Sequence, residues 1–192
     1  MRIDISNNNC AGRVRAVTIA NGVCRPTTSF KANTILYSWS EILAELLTKG
    51  NSKYRISGMY LEFANVANPG DVVSVPTYNR TRDIDYYTGL SVSSDLDYLR
   101  VPLTATTLSS KDALINNVLT FFAMSSGVVG IHGKPFSAAN NSVIYGGALV
   151  AMPEAGDASQ DKIFSAMYLP LDEQQAKGPN NQIGLEWQIE VQ

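Results

Sequence analysis

The clearest hydrophobic pattern in the chain lies near its C-terminus. Ile183, Leu185, Trp187, Ile189 and Val191 alternate with Gly184, Glu186, Gln188 and Glu190, the period-two signature of a strand with one buried and one wet face. Lys53 to Val66 reads as a long strand in two halves. Tyr54 and Ile56 share one parity, whereas Met59, Leu61 and Phe63 share the other. The switch at Ser57-Gly58 predicts a β-bulge. Shorter extended segments are expected at Val72 to Val75, Tyr98 to Leu103, Val118 to Ser125, Val143 to Met152 and Ile163 to Leu169. Val118 to Ser125 is apolar enough for burial on nearly both faces. Gly146-Gly147 marks a place where another backbone comes close.

One helix is predicted, from about Trp39 to Lys49. Ser38 and Glu41 have capping-box spacing, Ile42, Leu43, Leu46 and Leu47 fall on one helical face, and Gly50 follows as a stop. Asn68-Pro69-Gly70-Asp71 is a strong turn signal. Arg13 to Ala20 alternates Arg13 and Arg15 with Val14 and Ala16 and reads as an edge strand, with Asn21-Gly22 reversing the chain after it. The expectation is therefore a mainly β protein: an antiparallel β-sandwich of jelly-roll type, seven or eight strands and one short α-helix. Residues 1–30 are expected to be an extended N-terminal arm, and residues 31–192 the sandwich domain, with the helix near 39–49.

Charge changes the picture. Only 17% of the 192 residues are charged, against about 25% in ordinary globular domains. Asn, Ser and Thr take their place, with 15, 18 and 12 residues. An uncharged polar exterior is cheap to desolvate against a partner, because no ion must lose its water. This predicts a subunit of an assembly. A net charge of −2 with no basic run argues against phosphate-driven nucleic-acid binding. No apolar stretch nears the roughly 18 residues of a membrane helix, and no basic-then-apolar leader opens the chain.

Chemistry-bearing residues are few. The single His, His132, lies in a Gly-rich run, Val129 to Pro135, and neither a nucleophile elbow nor a zinc-protease motif is present. No catalytic or cofactor residue is expected. Asp83, Asp85, Asp95 and Asp97 lie in or beside a long Tyr-rich segment, Thr77 to Asp97. Their two Asp-x-Asp pairs are the only weak candidates for a Ca²⁺ site. The default expectation is solvated loop carboxylates, or partners for Arg80, Arg82 and Arg100. Cys10 and Cys24 flank the presumed N-terminal strand; a hairpin there could bring them together, and the favoured expectation is two buried or free thiols. Val14, Val17 and Ile19 on that strand, with Tyr78, Tyr86 and Tyr87 on the long segment, are the expected interface residues. The Tyr/Asp-rich stretch 77–98 also suits a carbohydrate-binding module, the alternative from another class.

Several stretches carry a family resemblance. Tyr54 to Phe63 followed by Asn68-Pro69-Gly70, then Tyr86 to Leu90, Gly130 to Phe136, and Gly146 to Ala151 together resemble virion structural proteins of short-tailed bacteriophages. The resemblance covers about Tyr54 to Val191. It implies a non-enzymatic building block of a symmetric assembly, made in the bacterial cytoplasm and incorporated into the virion. Its partners would be copies of itself and other phage structural proteins. The expected place is an adaptor or fibre anchor at the tail, with capsid decoration as the alternative.

Overall fold

The protein is described by a computed structural model over residues 10–20, 23–32, 34–35, 44–45, 48–49, 54–68, 71–74, 87, 96–112, 116–125, 141–154, 156–177 and 182–191. Its strands are β1 (Cys10–Ala20), β2 (Val23–Pro26), β3 (Lys31–Ala32), β4 (Thr34–Ile35), β5 (Ile56–Val66) and β6 (Leu96–Pro102). They continue with β7 (Ala105–Asp112), β8 (Asn116–Met124), β9 (Asn141–Ala151), β10 (Lys162–Tyr168), β11 (Gln175–Lys177) and β12 (Gln182–Val191). Two antiparallel sheets form a sandwich. One runs β2-β1-β12-β8-β7, with β3 also on β1; the other runs β4-β10-β9-β5-β6, with β11 also on β9.

The alternation of β12 makes it the middle of the first sheet. Ile183, Leu185, Trp187 and Ile189 are buried in the shared core, and Glu186, Gln188 and Glu190 stay part-exposed. The opposing sheet supplies Met59, Leu61, Phe63, Leu99, Val101, Leu149 and Met167. Burying a Leu, Phe or Met of this kind contributes about 1.5–3 kcal/mol, so this layer carries much of the fold's stability.

The bulge expected at Ser57-Gly58 is present. Pairing of β5 with β9 jumps from Ile56↔Ala151 to Gly58↔Val150, leaving Ser57 as the extra residue. Its hydroxyl accepts the Met152 N–H at 2.9 Å, and its carbonyl accepts the Leu103 N–H at 3.0 Å. The interruption therefore leaves those groups satisfied while it turns Met59, Leu61 and Phe63 toward the core. The close approach expected at Gly146-Gly147 is also seen: a Cβ on Gly147 would lie 2.7 Å from the Tyr60 carbonyl and 2.4 Å from Leu185 Cδ1.

Three expectations are corrected. Arg13 to Ala20 is not an edge strand: β1 lies between β12 on one side and β2 and β3 on the other. Its charges sit on the outer face instead, where Arg13 Nε donates to Gln188 Oε1 at 2.8 Å and Arg15 Nη2 pairs with Glu186 Oε2 at 2.7 Å. Residues 10–32 of the expected arm and its junction are thus woven into the sandwich body by three strands, not extended from it. Residues 1–9 lie outside the described residues. Finally, residues 71–74 of the segment expected as a strand at Val72 to Val75 are not in a strand. Their partner is a side chain: Gln174 accepts the Val73 N–H and donates to its carbonyl, both at 2.8 Å. An amide mimics one rung of a ladder but cannot propagate it.

Of the expected helix, Ala44, Glu45, Thr48 and Lys49 are described, and all four are helical. Lys49 pairs with Glu45 one turn back at 2.9 Å. The capping residues Ser38 and Glu41 and the apolar stripe lie outside the described residues. The Asn68–Asp71 turn closes as expected, with the Asp71 N–H donating to the Asn68 carbonyl at 3.2 Å.

Candidate functional site: a buried polar and tyrosine cluster

The second sheet is buried on both faces. Parity places Tyr60 and Glu62 of β5 on the face away from the sandwich core, where Arg100 stands opposite Tyr60 and Tyr98 opposite Glu62 on β6. On the other flank β9 presents Ala148 to Tyr60 and Gly146 to Glu62. Small residues there leave room for the large ones: a Cβ on Gly146 would lie 3.1 Å from Glu62 Oε2 and 2.5 Å from the Met167 carbonyl.

Tyr87 closes over this face. Its ring lies 4.6 Å from Tyr60, edge-on, and 4.9 Å from Tyr98, while Tyr60 and Tyr98 are 4.7 Å apart. The edge-to-face pair Tyr60–Tyr87 adds about 0.5–1.5 kcal/mol beyond area burial, and the other two pairs are tilted. The Tyr87 hydroxyl donates to Glu62 Oε1 at 2.8 Å, so the phenol supplies a hydrogen bond to a carboxylate that burial has removed from water.

At the other end stands Asp161. Asp157 caps the short 3-10 turn Ala158–Gln160 by accepting the Ser159 N–H, and the turn delivers Asp161 to the sheet. Arg100 grips its carboxylate with two hydrogen bonds, Nε to Oδ2 at 2.7 Å and Nη2 to Oδ1 at 2.9 Å. The Tyr60 hydroxyl donates to the same Oδ2, and Arg100 Nη2 also donates to the Glu154 carbonyl at 2.6 Å. The Asp161 side chain is fully buried and that of Arg100 is 12% exposed.

Electrostatics follow from this packing. Burial above all, then the hydrogen bond to Asp161, pushes the Tyr60 phenol far above its ordinary range. Burial likewise pushes Tyr98 up to about 12, helped by the negative charges of Asp161 and Asp97. The hydrogen bond to Asp161 raises Arg100 further still. Phenols so held are poor bases at any cellular pH. What the cluster does well is hold Tyr87 and Asp161 against the sheet. Because the folded-state values of Tyr60 and Tyr98 are raised, their contribution to stability is complete below pH 10 and lost as pH climbs above it. Alkaline unfolding monitored by tyrosinate absorbance is therefore expected to be steep above pH 10, and shallower in Tyr60→Phe. Identical slopes would mean that Tyr60 does not couple to unfolding.

Of the expected interface residues, Val14 and Val17 are buried within this chain, and so is Tyr87. All three are corrections: the surfaces on which they were expected to meet a partner are filled by their own fold. The backbone of Ile19 pairs with Gln182 and Cys24; Tyr78 and Tyr86 lie outside the described residues. With Tyr87 turned inward, the carbohydrate reading loses one of its contact rings. Among the weak metal candidates, Asp97 Oδ1 accepts the Tyr98 N–H at 2.8 Å, and Asp83, Asp85 and Asp95 lie outside the described residues, as does the single histidine, His132. Arg100, expected to pair with a loop carboxylate, pairs with Asp161.

The hairpin of β1 and β2 forms but does not bring the cysteines together. Cys24 is in register with Ile19 and Cys10 with Val191. Nine residues of strand, about 30 Å, therefore separate Cys10 from the level of Cys24. A disulfide needs Cα atoms within about 7 Å.

Tyr60, Glu62 and Asp161 were missed as a group from sequence. One signal was present: Glu62 is a charge inside the apolar run Met59 to Phe63. Comparison with family models, with curated proteins and with solved structures returned no match.

Proposed function

We propose that this chain is a non-enzymatic structural subunit of a tailed-phage virion, an adaptor or fibre anchor at the tail, assembled in the bacterial cytoplasm with other phage structural proteins. The observation that carries the reading is the disposition of charge. The chain is already poor in ions at 17%, and Glu62, Asp161 and Lys177 are withdrawn into its interior. Burial pushes the Lys177 ammonium down, the sign of an ion held out of water. Over the whole sequence Asn, Ser and Thr outnumber the charged residues, a composition suited to a surface that is covered.

The mechanism in this reading is geometric. A rigid sandwich, packed on both faces of one sheet, presents fixed outer surfaces to its neighbours. Gold-labelled antibody against the chain, applied to particles carrying it, tests the assignment. Label at a single vertex is the expected result. Label over the whole shell would replace the tail assignment by capsid decoration, and unlabelled particles would overturn the virion reading.

A further inference from the structure

The strands that end each sheet among the described residues differ in the features that discourage pairing with another chain. β2 is four residues long and ends in Arg25-Pro26, while β3 and β4 have two residues each. β6 carries Arg100 and ends in Pro102. Short length, charge and proline are the devices by which edges avoid pairing with other chains. β7 has none of them over Ala105 to Ser110, a run of Ala, Thr, Thr, Leu, Ser and Ser. Among the described strands it pairs only with β8, and its register stays regular until a shift between Ser110 and Asp112. Its two charges, Lys111 and Asp112, lie at or beyond that irregularity.

We infer that β7 is a self-pairing edge: two copies of the chain join antiparallel across a two-fold axis, extending the first sheet of each into one continuous sheet. The inference rests on the assembly reading and names its contact surface. Register fixes the geometry. β7 sets Thr106 against Phe121 and Leu108 against Leu119, and Phe121 and Leu119 belong to the core layer. Thr106, Leu108 and Ser110 therefore share one strand parity, and Thr107 and Ser109 the other. Residues directly opposite in an antiparallel pair lie on the same face, so only an even register keeps both sandwiches on one side of the joined sheet. Centring the axis on Leu108 sets Leu108 against its copy, Thr107 against Ser109 and Thr106 against Ser110. Every opposed pair in that run is neutral, no like charges face each other, and Thr–Ser pairs are favourable cross-strand neighbours. The same surface on both partners is what a two-fold interface requires.

The test uses the full chain and its mass in solution, 20.8 kDa for one copy. The natural chain is expected at dimer mass or a multiple of it. Thr107→Lys with Ser109→Lys sets lysine against lysine twice across the axis. This is expected to weaken association about tenfold or more, with far-UV spectra unchanged. The matching Glu pair should do the same, and mixing the two variants should restore association. Should either variant misfold, Leu108→Cys in a chain with Cys10→Ser and Cys24→Ser decides: oxidation is expected to give a covalent dimer. A natural chain that stays at 20.8 kDa, association indifferent to both charge variants, or no cross-link through residue 108 would overturn the edge pairing. Vertex labelling of particles would survive any of these, so the two readings can fail separately.

Discussion

Removing residues 1–30 is expected to unfold the protein rather than release a soluble, folded monomer. The deletion takes away β1 and β2 and leaves β3 without its partner. Ten residue pairs between β1 and β12 vanish, exposing one side of the central strand that carries Trp187, Leu185 and Ile189. Val14, Ala16 and Val17 leave with it, all buried. The two valines alone represent about 3–6 kcal/mol of burial, against a total stability of about 5–15 kcal/mol for a native domain. Adding the lost ladder hydrogen bonds, at about 1 kcal/mol each, removes what remains. Urea titration followed by far-UV circular dichroism should show no cooperative transition in the truncated chain. A β-type spectrum with a sharp transition would mean that β1 is dispensable to the body.

Asp161→Ala is expected to be the most damaging single substitution in the polar cluster, at about 3–5 kcal/mol. Its carboxylate takes two hydrogen bonds from Arg100 and one from Tyr60. Without it a guanidinium that is mostly buried loses its counter-charge, and a phenol that burial has stripped of water loses its acceptor. The contrast with Glu186 isolates the cause. The Arg15–Glu186 pair has a similar length, 2.7 Å, but its side chains remain 27% and 17% exposed, so Glu186→Ala should cost no more than about 1 kcal/mol. Chemical denaturation of both variants measures the difference. If Asp161→Ala costs less than Glu186→Ala, burial is not what gives the Asp161 network its weight.

The legible parts of the fold were those where one physical signal acted alone. Strict alternation in Ile183 to Val191 could only be a half-buried strand, and a parity switch beside a glycine could only be a bulge. β1 misled because Arg13 and Arg15 look the same on an edge as on the wet face of an interior strand. Their pairing with Gln188 and Glu186, far away in sequence, decides between the two. β7 was illegible for the opposite reason: Thr-Thr-Leu-Ser-Ser has no alternation to read, since its strand character comes from pairing with β8. The cluster around Tyr60 followed the same rule. Glu62 announced itself as a charge among apolar neighbours, but its partner Tyr87 sits 25 positions on, and Asp161 meets Tyr60 across 101 positions. Only the folded sheet brings them together.

The central claim, that this chain is built to be covered by companions in a particle, is tested most directly by counting it there. Quantitative mass spectrometry of purified, salt-washed phage particles should find the chain at a fixed ratio to the other structural proteins and in more than one copy per particle. Its absence from the washed particles, or a trace amount that varies from one preparation to the next, would contradict the account.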